Sequence, residues 1–120
     1  MIRFNTRVDF NRNELLSRSE IARRAAQMML DQEVLKDSNY YVRKRTGELE
    51  RSSIRASQIG KGILIWDTKY ARKVYFDDRN ISRDVNPNAR ALWFEVAKSA
   101  RKTNWNSAVL QEYINFFRGR

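Results

Sequence analysis

Cysteine and histidine are both missing from this 120-residue chain. The first absence excludes a disulfide framework and a thiolate metal site. The second excludes Ser-His-Asp and Cys-His catalysis and imidazole-held zinc. No apolar run approaches the ~20 residues of a membrane-spanning helix, and no signal peptide opens the chain. A soluble protein made in a cytoplasm, with no membrane partner, is the expectation. Proline occurs once, at Pro87.

What is present argues for a packed core. Apolar residues make up 42% of the chain, with three Trp, five Tyr and six Phe, too many for a disordered segment. A chain of this length is expected to form one domain, residues 1–120, and to bury about two thirds of its unfolded surface. Lysine and arginine number 24 against 14 acidic residues, a net charge of +10. Such a balance points to nucleic acid or to an acidic protein partner. The excess is spread, four in residues 1–60 and six in residues 61–120. A DNA-reading element normally concentrates its charge, so protein partners or solubility take the larger share.

Residues 60–76 carry the sharpest local pattern. Gly60-Lys61-Gly62 reads as a tight turn and Ile63 to Trp66 as a short buried strand. Asp67 and Thr68 are good caps for a short helix over 69–76, with Tyr70, Ala71, Val74 and Tyr75 on one face. Upstream, Ile2, Phe4, Val8 and Phe10 alternate with polar residues, which predicts a half-buried strand over 2–10. A long amphipathic helix over 13–36 follows, with Ala22, Ala26, Met29 and Val34 inward and Arg23, Arg24, Gln27 and Asp31 outward. Asp37-Ser38-Asn39 ends it by offering side-chain bonds to the backbone.

Thr46 caps a further short helix, with Glu48 and Glu50 in its first turn. Residues 54–59 then lean toward a strand that pairs with 62–67 across the glycine turn as a hairpin. Residues 77–86 are polar and aperiodic, the pattern of a long exposed loop. Pro87 fits the first turn of a helix. Residues 88–117 carry helical stripes that one helix, or two parted at Asn104, would satisfy. The aromatic tail 113–117 leans toward core over a partner patch. The fold class is α+β: a small antiparallel sheet with a central hairpin, packed against a long N-terminal helix and C-terminal helices.

One constellation has catalytic form. Glu48 and Glu50 precede a strand that ends in Asp67-x-Lys69. That is the layout of a Mg²⁺-dependent nuclease, where carboxylates hold the metal and lysine assists water. Acid-x-Lys arises by chance in most basic chains, and Asp67 already has a use as a cap. No Gly-rich phosphate loop is present. The residues offer a fold and surfaces rather than a reaction, so no catalytic residue, cofactor or metal is assigned. The densest basic cluster is Arg43-Lys44-Arg45. With Asp77, Asp78, Arg79, Arg83 and Asp84 of the long loop, it supplies the candidate protein-interface residues.

Three motifs resemble one family. Tyr41-Val42-x-x-x-Thr46-Gly47-x-Leu49-x-x-Ser52 is similar to the Tyr-Val-Pro-x-x-Thr-Gly-x-Leu-x-x-Ser signature of tailed-bacteriophage minor capsid proteins. Ile65-Trp66-Asp67-Thr68-x-Tyr70-Ala71-Arg72 resembles that family's Ile-Trp-(Asn/Asp)-Thr-Pro-Tyr-Ala-Arg element. Ala89-x-x-x-Trp93-x-Glu95-x-Ala97-Lys98, trailed by Trp105, resembles its C-terminal helix. Arg43 and Lys69 stand where prolines are usual, which loosens the unfolded chain by up to about 1 kcal/mol each. Arg45 stands where aspartate is common.

The resemblance implies a structural, non-enzymatic virion protein of the head–tail connector, made in the host cytoplasm. It implies a homo-oligomeric ring at the neck. The implied partners are the portal-associated adaptor or stopper and the tail terminator or tail tube proteins, with DNA in the channel nearby. A small basic nucleic-acid-binding protein is the alternative, and a Mg²⁺-dependent nuclease a distant third.

Overall fold

The computed structural model describes residues 1–7, 19–79 and 81–117. In chain order the elements are β1 (Ile2–Asn5), α1 (Ser19–Asn39), α2 (Glu48–Ala56), β2 (Ile63–Trp66), α3 (Ala71–Phe76) and α4 (Trp93–Phe117). The class is α+β, as expected. Residues 8–10 of the expected first strand and 13–18 of the expected long helix lie outside the described residues.

β1 and β2 pair antiparallel, with Ile2 opposite Trp66 and Asn5 opposite Ile63. Strand alternation puts Ile2, Phe4, Leu64 and Trp66 on one face. That face is the core side: Ile2, Leu64 and Trp66 are buried, and Phe4 packs against them. Trp66 lies at the middle of an aromatic group. Phe4 meets it edge-on at 5.7 Å, and Trp93 at 5.8 Å. Tyr75 stands perpendicular to Trp93 at 4.7 Å, and Phe4 stacks on Phe94 at 4.3 Å. Edge-to-face pairs of this kind add about 0.5–1.5 kcal/mol each to the area they bury.

The expected hairpin is replaced. β2 pairs with the N-terminal strand, and Ile54 belongs to α2 and is exposed. A single bridge, Gln58 to Ile63, is all that remains of strand pairing across the glycine turn. The serines explain why. Ser52 and Ser53 donate their hydroxyls to the carbonyls of Leu49 (2.7 Å) and Glu50 (2.6 Å), three residues back. Bonded within the helix, they have no need of an extended backbone.

Other boundaries shift for similar reasons. α1 runs on through Asp37, Ser38 and Asn39 because the side chains of Asp37 and Asn39 bond elsewhere. Asn39 accepts from the Trp66 indole N–H (3.0 Å) and donates to Ser53 (2.9 Å), tying α1 to β2 and α2. Asp37 accepts from the Trp105 indole N–H (2.6 Å) and ties α1 to α4. α2 starts from Gly47 at φ 80°, while the Thr46 hydroxyl accepts the Glu48 N–H at 3.4 Å from one position earlier. Neither Asp67 nor Thr68 caps α3 with its side chain; the Thr68 carbonyl accepts the Ala71 N–H. Pro87 lies in a turn, and α4 begins six residues later as one helix through an exposed Asn104. Asn86 governs that turn: its side chain accepts the Asn88 N–H (3.1 Å), and its carbonyl accepts the Ala89 N–H. In the aromatic tail, Tyr113 and Ile114 are half-buried.

Candidate functional site

The outward face expected of α1 contains the first surprise. Asp31 is fully buried and Gln27 nearly so. Asp31 accepts four hydrogen bonds. One carboxylate oxygen takes the Gln27 amide (2.9 Å) and the Thr6 hydroxyl. The other takes the backbone N–H groups of Gly60 (2.8 Å) and Gly62 (2.9 Å). Gln27 also donates to the Thr6 carbonyl at 2.9 Å. Both glycines sit at positive φ, 93° and 74°, so the turn aims two amides inward that need an acceptor. A carboxylate one helical turn after an amide supplies it. The Gly60-x-Gly62 turn is visible in the sequence, and its unplaced amides are the signal that an acid has to sit beneath it.

Several of the expected interface residues meet on another face, where Arg43, beside Lys44 and Arg45, lies within electrostatic reach of Asp77, Asp78 and Arg83. Asn86 donates to the carbonyls of Tyr40 (2.9 Å) and Val42 (2.8 Å), and the Arg90 N–H donates to the Tyr41 carbonyl (2.9 Å). These bonds clamp the loop after α3 onto the segment before α2. Arg43 is half-buried there. Its Nε and Nη2 lack a hydrogen-bond partner. Burial lowers its pKa most; Asp77 and Asp78 attract it electrostatically, and Arg83 repels it. Asp77 accepts the Arg79 backbone N–H (2.9 Å), which holds its carboxyl below the usual range. Arg83 donates to the Ala89 carbonyl (3.2 Å), and Lys44 pairs with Glu50 (3.1 Å). Arg45, Asp78 and Asp84 are exposed.

A groove of about 550 Å³ opens on this face, lined by Arg43, Lys44 and Arg45 together with Leu49, Tyr70 and Val74. Apolar and charged side chains side by side are the composition of a protein-binding patch. A second groove, of about 1020 Å³, lies beside Arg3, Asn5 and Arg7, with Arg24 and Lys61 opposite. Sequence reasoning misses it, because its cations come from three separate segments.

The nuclease constellation does not assemble. Asp67 is ion-paired with Arg55, and Glu50 with Lys44. Among the described residues, no group of three or more acidic side chains is placed to hold a metal ion. No described helix is long and apolar enough to cross a membrane.

Compared with known proteins, residues 4–113 match a family model described as minor capsid protein. No curated protein and no solved structure matches the chain.

Proposed function

Because the chain belongs to the phage minor capsid protein family, and so is a structural protein of the virion, we propose that it works at the head–tail connector as a ring-forming, non-enzymatic subunit. In this reading the ring joins the portal-side adaptor or stopper to the tail. The supporting observation is the face on which Arg43, beside Lys44 and Arg45, lies within electrostatic reach of Asp77, Asp78 and Arg83. Two charged segments distant in sequence are clamped side by side, and Ser82 of the second lines the groove with Arg43, Lys44 and Arg45 of the first. A face with both signs of charge suits a head-to-tail contact, where a basic segment of one copy meets the acidic loop of the next.

The test uses the purified full chain and electron microscopy. Wild type is expected to form closed rings. Arg45→Glu and Asp84→Lys should each weaken ring formation, and a mixture of the two single variants, or the double variant, should recover it. Single variants that form rings as well as wild type would remove this face from the contact. Deletion of the loop is the poorer test, because Asn86 is part of the fold.

A further inference from the structure

A two-stranded sheet has two outer edges, and here they differ. The Thr6 N–H donates to the Gly62 carbonyl at 2.8 Å, in register with the Ile2–Trp66 pairing. Hydrogen-bonded pairs alternate along an antiparallel ladder. Ile2 and Phe4 therefore bond across to β2, while Arg3 and Asn5 turn their N–H and C=O groups to the outside. On β2 the same rule turns Ile63 and Ile65 outward, and there they are met. The Gln58 N–H donates to the Ile63 carbonyl (2.8 Å), and the Ile65 N–H donates to the Ser57 hydroxyl (2.9 Å). That hydroxyl also lies 3.5 Å from the Ile65 carbonyl. The β2 edge is thus occupied by Ser57 and Gln58. The backbone groups of Arg3 and Asn5 have no partner among the described residues.

The open edge has a charged setting. Arg3, Asn5 and Arg7 line the larger groove with Arg24 and Lys61, and all five side chains are exposed. The acidic residue among the described lining, Glu20, is paired with Arg23 at 3.0 Å. Asp31 fixes the turn that carries Lys61 through the two glycine amides beside it.

We propose that the open edge of β1 takes an extended acidic segment of a second, different protein as an added strand. An edge presenting N–H and C=O groups at every second residue is matched by another polypeptide strand and not by a phosphodiester chain. Among the described residues no aromatic side chain lines the groove to stack a base, the usual platform for single-stranded nucleic acid. A second copy of this chain fits poorly. Pairing β1 with β1 would gather the Arg3 and Arg7 rows of two +10 chains into one sheet, where facing like charges are unfavourable. Growth from edge to edge is blocked because Ser57 and Gln58 occupy the β2 side. This inference holds wherever in the virion the chain sits.

The probe is an acetylated octapeptide of alternating glutamate and valine, added to the full chain and followed by fluorescence anisotropy and amide hydrogen exchange. It should bind, and it should slow exchange at the Arg3 and Asn5 amides. A lysine–valine octapeptide should not bind. Asn5→Pro removes only an outward N–H, a position where an edge strand tolerates proline. It should leave the melting temperature unchanged and weaken the peptide about tenfold, the scale of one or two lost hydrogen bonds. Lys61→Glu should weaken it as well. Should Asn5→Pro disturb the fold, the same peptide methylated on alternate amide nitrogens makes the test from the other side. Failure of the glutamate peptide to bind overturns the proposal. So does equal binding by the lysine peptide, by Asn5→Pro in an intact fold, or by the methylated peptide. A short DNA duplex that binds more tightly while the edge amides exchange freely would replace it with a nucleic-acid surface.

Discussion

The knot around Asp31 and the face around Arg43 both put charge out of full contact with water, and they treat it oppositely. In the knot every donor aimed at the carboxylate is met, by atoms from the β1 end, α1 and the glycine turn. At the face, a half-buried guanidinium keeps two nitrogens without hydrogen bonds. Buried charge is tolerated when it is fully bonded and costly when it is not. The Asp31 carboxylate is saturated, whereas the Arg43 guanidinium has bonds left to give, as do the buried Ser38 and Thr68 hydroxyls.

The largest break in that contrast is Asp31→Ala. It strands two glycine amides, the Thr6 hydroxyl and the Gln27 amide at once. A loss of about 3–5 kcal/mol is expected in denaturant unfolding. Gly62→Ala comes next. A β-carbon there would lie 3.0 Å from the Arg7 backbone nitrogen and 3.1 Å from its α-carbon, at φ 74°. The strain and the clash together predict a loss of about 2–3 kcal/mol, read from the same unfolding curves.

Tyr75 sharpens the comparison from within the core. Burial pushes its phenol up to about 12, against an ordinary 10.0. Because the folded pKa is the higher one, the stability it supports is complete below pH 10 and is lost as pH rises toward 12. A rise of that size corresponds to roughly 2–3 kcal/mol. Alkaline unfolding followed by circular dichroism should therefore fall in that window, and Tyr75→Phe should move it upward. The smallest effect belongs to the other region. Arg43→Met removes a guanidinium that is short of bonds and keeps the packing of its stem. Its stability is expected to stay level or rise by up to about 1 kcal/mol, measured by thermal melting.

Much of this is legible in the residues themselves. Ile63 to Trp66 form the expected strand, Ala71–Phe76 the expected short helix, and Ala22, Ala26 and Val34 the buried side of α1. Periodicity sees apolar faces. It does not see a buried polar residue. It places Gln27 and Asp31 in water, because nothing in their own helix shows that a glycine turn thirty positions on will lie against them. The hairpin fails for a related reason. Local preference makes 54–59 a strand, but Ser53 is bonded to Asn39 on α1, and tertiary contact overrides propensity. The candidate interface residues Arg43, Asp77 and Arg83 are visible as charge. Their meeting is not, since it depends on Asn86 reaching back to Tyr40 and Val42.

The central claim is that the Arg43 face exists for contacts and contributes little to the fold. Arg45 tests it most directly, being exposed on that face. Arg45→Glu should melt within about 1 °C of wild type, as surface changes do. In phage lacking the native gene, it should drop out of purified particles that the wild-type chain enters. A variant that melts like wild type and is recovered in particles at the wild-type level would contradict the account.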